Sequence, residues 1–138
     1  MSKNVESMEQ VALSLDLDAR AENLLLVRQA VEGAVRASGA EGQVVDDIKL
    51  AVTEACSNVV KYAYRGDAGP LSVQVGFPDG RIAVVITDQG SWDGDSEEEG
   101  PSGMGIPIMQ SVTRTHDVTT DAEGTRVTLV FEKAASDE

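Results

Sequence analysis

The first patterned stretch of the chain alternates apolar and polar residues. In Glu9–Leu17 the apolar side chains occupy every second position, at Val11, Leu13, Leu15 and Leu17. Because successive side chains of a strand point to opposite faces, this period predicts a strand with one buried face.

Two stretches with a helical period follow. In residues 19–39 the apolar residues recur at helical spacing, and Gly39 is suited to end the helix; they are Leu24, Val27, Val31 and Val35. A second helix is predicted from about Val44 to Tyr64. At ~100° per residue its apolar stripe consists of Val45, Ile48, Val52, Ala55, Cys56, Val59 and Ala63. Each stripe predicts a helix that packs one side against a core.

The rest of the chain predicts two hairpins. LSVQVGF and RIAVVITD flank Pro78–Gly80, whose Asp-Gly pair is a strong turn signal, and HDVTTD and TRVTLVFEK flank a second turn, AEG. Between the hairpins lie a long polar loop, Gln89–Gly103, and a short helix that begins near Gly105. Loops of this length inside a domain are often functional, so this one invites a functional interpretation.

The predicted order is β-α-α-β-β-loop-α-β-β, without regular βαβ alternation. Such an order predicts an α+β fold, a two-layer sandwich with a mostly antiparallel sheet and three helices on one face. The chain has 138 residues, no internal repeat and no long linker. We therefore expect a single domain over residues 1–138, with its core at about 9–133.

Composition places the protein among folded domains, since 41% of its residues are hydrophobic. No apolar run reaches the ~18 residues of a membrane span, and MSKNVESMEQ lacks the apolar core of a signal peptide. A cytoplasmic location is therefore expected. The single cysteine, Cys56, is expected to be a buried hydrophobe and not a nucleophile, because it lies on the apolar stripe.

The charge balance limits the classes of partner. The chain carries 11 basic and 24 acidic residues, a formal net charge of -13. Such a surface repels the phosphates of nucleic acids and anionic lipids, so we expect no direct binding of nucleic acid or membrane. Basic protein partners suit it better.

The second helix carries the first candidate chemistry. Its polar side holds Asp47, Glu54, Asn58 and Lys61, and a solvated face is the ordinary interpretation of such a set. Asn58 is a poor helix former in mid-helix, however, and needs another reason to be there. A carboxylate and a carboxamide one turn apart also suit a phosphate–metal site: the amide oxygen is a ligand for Mg²⁺, and the carboxylate can accept a proton from a hydroxyl.

The end of the RIAVVITD strand carries a second candidate. Asp88 can accept a hydrogen bond from an exocyclic amine, and Gly90 lets the backbone approach a ring closely. The ordinary alternative is a strand-to-turn D-x-G.

Two further glycine segments are weaker candidates. Gly103 and Gly105 stand just before a predicted helix, where free backbone amides and the helix dipole favour a phosphate, although a flexible loop has the same composition. Gly124 and Thr125 stand at the entry of the last strand, where a hairpin turn needs little else.

In this order and spacing the four pieces resemble the N, G1, G2 and G3 boxes of the GHKL ATPase superfamily. DDIKLAVTEACSNVVKYAY, SGMGIPIM and EGTRVTLVFEK are similar to the bacterial anti-sigma-factor serine/threonine protein kinases, and the resemblance covers about Glu9–Lys133. It implies a Bergerat-type (histidine-kinase-like ATPase) fold, with ATP lying between the helical layer and a lid.

The resemblance also implies roles for individual residues. Glu54 matches the general base, and Asn58 matches the Mg²⁺ ligand that bridges the nucleotide phosphates. Asp88 matches the adenine-reading aspartate, and Gly90 matches the glycine beside the ring. The other expected nucleotide-binding positions, which include the glycines of the lid hinge and the threonine that supports adenine binding, are Lys61, Gly103, Met104, Gly105, Ile106 and Thr125.

The implied activity is phosphorylation of a small anti-anti-sigma protein of the STAS fold, together with sequestration of a sigma factor. Members of the family commonly form homodimers through the sheet. Arg28 matches a partner-contacting arginine on the first helix, although a surface ion pair is the ordinary role of a single arginine.

Departures from the family pattern leave other functions open. Tyr62 stands where many relatives carry a histidine, and DQGSWD lacks the second glycine of the G1 box. Pro101 occupies a place where relatives often supply a basic residue. The loop near the expected phosphates is acidic, with Asp93, Asp95, Glu97, Glu98 and Glu99. Acids repel a polyphosphate unless a cation neutralises the charge. A nucleotide-binding regulatory module with little or no kinase activity is therefore the alternative function. An α+β interaction domain that binds no nucleotide is a third hypothesis.

Overall fold

Five strands and two α-helices are present in the residues that the computed structural model describes, which are 11–64, 67–90, 124–134 and, for the backbone alone, 115–121. The strands are β1 (Val11–Asp18), β2 (Pro70–Gly76), β3 (Ile82–Asp88), β4 (Thr115–Asp121) and β5 (Gly124–Phe131). The helices are α1 (Asn23–Ala37) and α2 (Gly42–Asn58), and a π-helical turn, Val59–Ala63, continues α2.

The strands form one sheet in the order β1-β2-β3-β5-β4, and every neighbouring pair is antiparallel. β3 lies in the middle, paired on both sides, and six of its seven residues are buried. In the turn between β2 and β3, Asp79 and Gly80 both take positive φ, at 54° and 77°. Both predicted hairpins are confirmed.

The two helices pack together on one face of the sheet, and the core lies between the layers. Val31 and Ile48 represent the buried stripes of the helices, and Val73, Ile86 and Leu129 face them from the sheet, all 0–1% exposed. The α+β sandwich with an antiparallel sheet is thus confirmed. The third predicted helix, near Gly105, lies outside the described residues.

Cys56 belongs to this core, as predicted. Its side chain is fully buried, and burial raises the pKa of its thiol to about 12. A thiol with so high a pKa is protonated at neutral pH, so Cys56 serves as a small hydrophobic side chain.

Long-range hydrogen bonds decide where α1 and α2 begin. The Ala19 amide donates to the Gly69 carbonyl at 2.8 Å, which keeps Ala19 with the sheet, so that α1 begins at Asn23 and not at the predicted residue 19. Asn23 Nδ2 then donates to the Asp18 carbonyl at 2.8 Å. At the other helix, the Glu41 amide donates to the Lys133 carbonyl at 3.0 Å and ties the start of α2 to the chain that follows β5.

Across the described ranges, no helix is both long and apolar enough to cross a membrane.

The buried side chains of β5 should contribute to the free energy of folding. Leu129→Ala, at a fully buried position, is expected to lower the free energy of unfolding by about 2–5 kcal/mol, because the truncation leaves a cavity in the core. Leu25→Ala, at a position that is 54% exposed, is the matched control and should change it by less than about 0.5 kcal/mol. Chemical denaturation measures both, and equal losses would contradict the placement of Leu129 in the core.

Candidate functional site

A buried acid stands at the end of the central strand. Asp88 is 3% exposed, and its Oδ1 accepts a hydrogen bond from the Gly90 amide at 2.9 Å. In the β3–β5 pairing Asp88 lies opposite Thr125, which is 2% exposed. The turn therefore holds a carboxylate in a fixed orientation beside a buried hydroxyl.

This turn packs directly against the end of the helical layer. A Cβ on Gly90 would lie 2.1 Å from the carbonyl oxygen of Ala63, far closer than real Cβ contacts, which essentially never fall under 3.0 Å. Only glycine allows this approach. The predicted importance of Gly90 thus has a structural basis in the contact between β3 and the π-helical turn.

Gly124 supports the same turn from the other side. Its φ is 134°, and a Cβ there would lie 2.0 Å from the Asp88 carbonyl oxygen. Both the backbone conformation and the available space require glycine. From the sequence Gly124 is an ordinary hairpin residue, and its position directly before Thr125 is the only sequence signal for this second role.

The candidate residues of α2 lie on the helix that leads to the Ala63 contact with this turn. Glu54 is half-buried and Asn58, the last residue of α2, is only 8% exposed. One helical turn, ~6 Å of rise, separates them. Placing Asn58 on a solvated face is therefore wrong, because its side chain is largely shielded from water.

Tyr64 joins the helix end to both neighbouring strands. Its hydroxyl donates to the Pro70 carbonyl at 2.6 Å and accepts from the Gln89 amide at 2.7 Å. Burial raises the pKa of the phenol, and the charge of Asp88 adds to the rise. The sequence interpretation gave Tyr64 no role, and its place at the end of the predicted helix was the only available signal.

The structure thus brings Asn58, Asp88, Gly90 and Thr125 to one end of the sandwich. Lys61 lies exposed on the π-helical turn. The remaining nucleotide-binding positions expected from the sequence lie outside the described residues; they are Gly103, Met104, Gly105 and Ile106. Arg28 is exposed on α1, and within the part of the chain that the structure describes no ion pair involves it.

The donor set fits a nucleotide better than a free-standing metal. Among the described residues, no group of three or more His, Cys, Asp or Glu side chains could hold a metal ion. The Asn58 amide oxygen is a suitable single ligand for Mg²⁺, which commonly keeps waters and phosphate oxygens in its remaining positions. Asp88 offers a buried acceptor for an amine, and the Gly90 amide donates to it.

Comparison with known proteins shows the family to which this fold belongs. A family model described as the histidine kinase-like ATPase domain matches residues 17–131. The chain is also similar to the serine-protein kinase RsbW of Bacillus cereus (strain AH187) and of Bacillus anthracis. It is 27% identical to each over 99 residues, which are 70% of this chain and 62% of each relative. The chain therefore spans less than two thirds of the length of these curated relatives.

Two solved structures share the fold. The crystal structure of the RsbU and RsbW domains of a Mycobacterium tuberculosis protein matches with a TM-score of 0.70 at 22% identity, over 88% of this chain and 32% of that one. The histidine kinase domain of a blue-light activated histidine kinase from Erythrobacter litoralis matches with a TM-score of 0.56 at 19% identity, over 81% of this chain and 60% of that one.

The contact between Gly90 and Ala63 can be tested by one methyl group. Gly90→Ala is expected to lower the free energy of unfolding by about 1–3 kcal/mol or more. The new Cβ overlaps the Ala63 carbonyl, a backbone group that cannot move aside by a change of rotamer. Gly33→Ala is the matched control: Gly33 lies in α1 with nothing within 4 Å of the added Cβ, and alanine there should raise stability by about 0.5–1 kcal/mol. A Gly90→Ala variant as stable as the parent in urea denaturation would contradict the close approach.

Proposed function

The chain belongs to the histidine kinase-like ATPase domain family, as its four boxes predicted, and on this premise we propose that it is an ATP-dependent serine/threonine protein kinase that also acts as an anti-sigma factor. The observation that carries the proposal is the junction of the helix end with the Asp88–Gly90 turn. At this end of the sandwich are a buried acid, the Gly90 amide that donates to it, and a buried carboxamide. The relatives named serine-protein kinase support the kinase part.

In this proposal the β3 turn recognises adenine. The Asp88 carboxylate accepts a hydrogen bond from the exocyclic amine of adenine. The hydrogen bond that the Gly90 amide donates to this carboxylate holds it in orientation. Gly90 lies beside the ring, as the family resemblance implies, and Thr125 supports the base from β5. The other residues assigned to the nucleotide are Lys61, Gly103, Met104, Gly105 and Ile106.

The end of α2 is proposed to handle the phosphates and the reacting hydroxyl. Mg²⁺ bound with ATP would neutralise phosphate charge, and Asn58 would supply a protein ligand through its amide oxygen. Glu54 accepts the proton of a serine or threonine hydroxyl of the partner while that oxygen bonds to the γ-phosphorus and the bond to the ADP oxygen breaks. Both residues stand on one rigid helix, which fixes their separation.

The proposed partners are a STAS-domain anti-anti-sigma protein as substrate and a sigma factor as the sequestered protein. Support comes from α1, where Arg28 is exposed and shares a face with Leu25, three residues earlier and 54% exposed. A cation beside an exposed apolar side chain suits a protein contact. We further propose a homodimer in the cytoplasm with no direct contact to nucleic acid or membrane.

A second candidate function is a nucleotide-binding regulatory module with little or no kinase activity. Five acids between residues 93 and 99 favour it, because negative charge near the phosphates opposes the build-up of transition-state charge. This candidate shares the adenine site with the kinase and differs only in the transfer step.

Adenine recognition by Asp88 predicts a ligand-dependent stability. Mg-ATP at 100 times its Kd should raise the free energy of unfolding by about 2.7 kcal/mol, because only the folded state binds it. Asp88→Asn should abolish most of this gain, since the amide keeps the shape of the carboxylate and loses its charge. Asp79→Asn, in the exposed β2–β3 turn, is the matched control and should keep it. Thermal denaturation with and without Mg-ATP measures the gain, and a wild type that shows none at millimolar ATP contradicts both nucleotide-binding functions.

The base role of Glu54 predicts a separation of binding from transfer. Glu54→Gln should keep the Mg-ATP stabilisation and lower phosphate transfer to a STAS-domain protein by about 10²–10⁴-fold, the range typical of general-base removal. Asp47→Asn changes an acid of the same helix, whose Oδ1 accepts from Gln43 Nε2 at 2.9 Å, and is the control that should retain transfer. Equal transfer by wild type and Glu54→Gln would remove Glu54 from the base role. Stabilisation by ATP without any transfer would favour the regulatory module.

A further inference from the structure

The Tyr64 hydroxyl lies where the helix end, the start of β2 and the end of β3 meet. We propose that Tyr64 is a positioning residue: through the Gln89 backbone its hydroxyl fixes the Asp88–Gly90 turn and so sets the selectivity for the adenine base. This inference rests on the proposed function, because it concerns the same nucleotide site.

The hydrogen bonds of Tyr64 use both capacities of a phenol. The hydroxyl donates to the Pro70 carbonyl at 2.6 Å and accepts from the Gln89 amide at 2.7 Å. Gln89 stands between Asp88 and Gly90, so its hydrogen bond to Tyr64 holds the middle of the turn. The two ends of the turn are joined by the hydrogen bond from the Gly90 amide to Asp88 Oδ1. Neither bond can form with a phenylalanine in this position.

Two consecutive residues of the helix end hold two consecutive residues of the turn. The Ala63 carbonyl packs against Gly90, and the Tyr64 hydroxyl binds the Gln89 amide. Tyr64 stands directly after the π-helical turn, with φ -119° and ψ 2°, so its backbone has already left the helix. The helix end thereby determines the turn at two points along its backbone.

The ring of Tyr64 has little freedom to move. A Cβ on Gly69 would lie 2.3 Å from Tyr64 Cε1, so the ring rests directly on the Gly69 backbone. The Gly69 carbonyl in turn accepts from the Ala19 amide at 2.8 Å, which anchors that segment at the end of β1. The hydroxyl is therefore held in place by packing from the ring side as well as by its two bonds.

The electrostatic surroundings keep the phenol in the form that this role needs. Burial raises the pKa of Tyr64, the Gln89 amide lowers it, and the charge of Asp88 raises it again. A neutral phenol can donate to Pro70 while it accepts from Gln89, whereas a phenolate cannot. The hydroxyl is bonded to Gln89, the residue directly after the carboxylate that it is proposed to position.

The test is the single-atom deletion Tyr64→Phe, with the dissociation constants of Mg-ATP and Mg-GTP measured by calorimetry. We expect affinity for ATP to fall by about 5–30-fold, the effect of losing one or two hydrogen bonds, because Asp88 loses its orientation. Affinity for GTP should change by less than about twofold, so the ratio of the affinity for ATP to the affinity for GTP (the ATP/GTP ratio) falls. A ratio equal to that of the wild type would overturn the proposal.

Ser38→Ala is the matched control for a purely structural hydroxyl. Ser38 Oγ donates to the Val35 carbonyl at 2.7 Å at the far end of α1, so this variant loses a comparable bond away from the turn. It should lower stability by an amount similar to that for Tyr64→Phe and leave the ATP/GTP ratio unchanged. A fall of the ratio in both variants would assign the effect to lost stability and overturn the positioning role.

A second measurement needs no nucleotide and so separates this inference from the proposed function. In the free protein, amide hydrogen exchange at Gln89 should become faster in Tyr64→Phe and stay unchanged in Ser38→Ala. Unchanged exchange at Gln89 would overturn the proposal, whereas faster exchange in a protein that binds no ATP would support the hold on the turn while the proposed function fails.

If Tyr64→Phe cannot be purified folded, Gly69→Ala replaces it. The added Cβ displaces the Tyr64 ring, while Tyr64 itself keeps its hydroxyl group. The same fall in the ATP/GTP ratio would support the proposal, and an unchanged ratio would overturn it.

Discussion

The contact between the Gly90 backbone and the Ala63 carbonyl is the constraint on which the site depends. It joins the end of the central strand to the end of the second helix at a distance that excludes any side chain. On the other side of the turn Gly124 approaches the Asp88 carbonyl equally closely. The turn is thus held on both sides by close backbone contacts, and in each the space beside the glycine Cα is already filled by the protein.

The position of Asp88 on the central strand makes its carboxylate a rigid group. β3 is paired on both sides and buried along nearly its whole length, so its end moves little relative to the core. Burying a carboxylate is costly unless it is hydrogen-bonded, and the Gly90 amide offsets part of this cost. A ligand amine would offset more of it. In the proposed function, recognition of the base and stabilisation of the fold would therefore depend on the same buried acid.

Periodicity in the sequence was sufficient to predict the layers, since they depend on local pattern. Val27, Val31 and Val35 are buried as their spacing predicts, and the hairpin around Asp79 is where the Asp-Gly pair places it. The beginning of α1 was not predictable in the same way, because the bond that holds Ala19 back from the helix comes from Gly69, fifty residues later in the chain.

The site was predictable only where its residues match a motif. Asp88 and Gly90 could be selected from the sequence, and the structure gives both a physical basis. The burial of Asn58 could not, because a helical wheel places this residue on the polar side of α2. The bonds of Tyr64 could not either, because the wheel treats residues 44–64 as one regular α-helix. The turn from Val59 to Ala63 is instead π-helical, and wider turns of this kind shift the direction of every side chain that follows.

The two halves of the proposed reaction rest on different parts of the molecule. Base recognition belongs to the end of β3, where glycine contacts and the Tyr64 hydroxyl leave little freedom. Phosphate chemistry belongs to Glu54 and Asn58 on α2 and to whatever charge surrounds the γ-phosphate. Affinity follows from the first and transfer rate from the second, because phosphoryl transfer depends on positioning and charge stabilisation. In the proposal, the acids of residues 93–99 therefore oppose transfer more than they oppose binding of the base, because negative charge opposes the build-up of charge in the transition state.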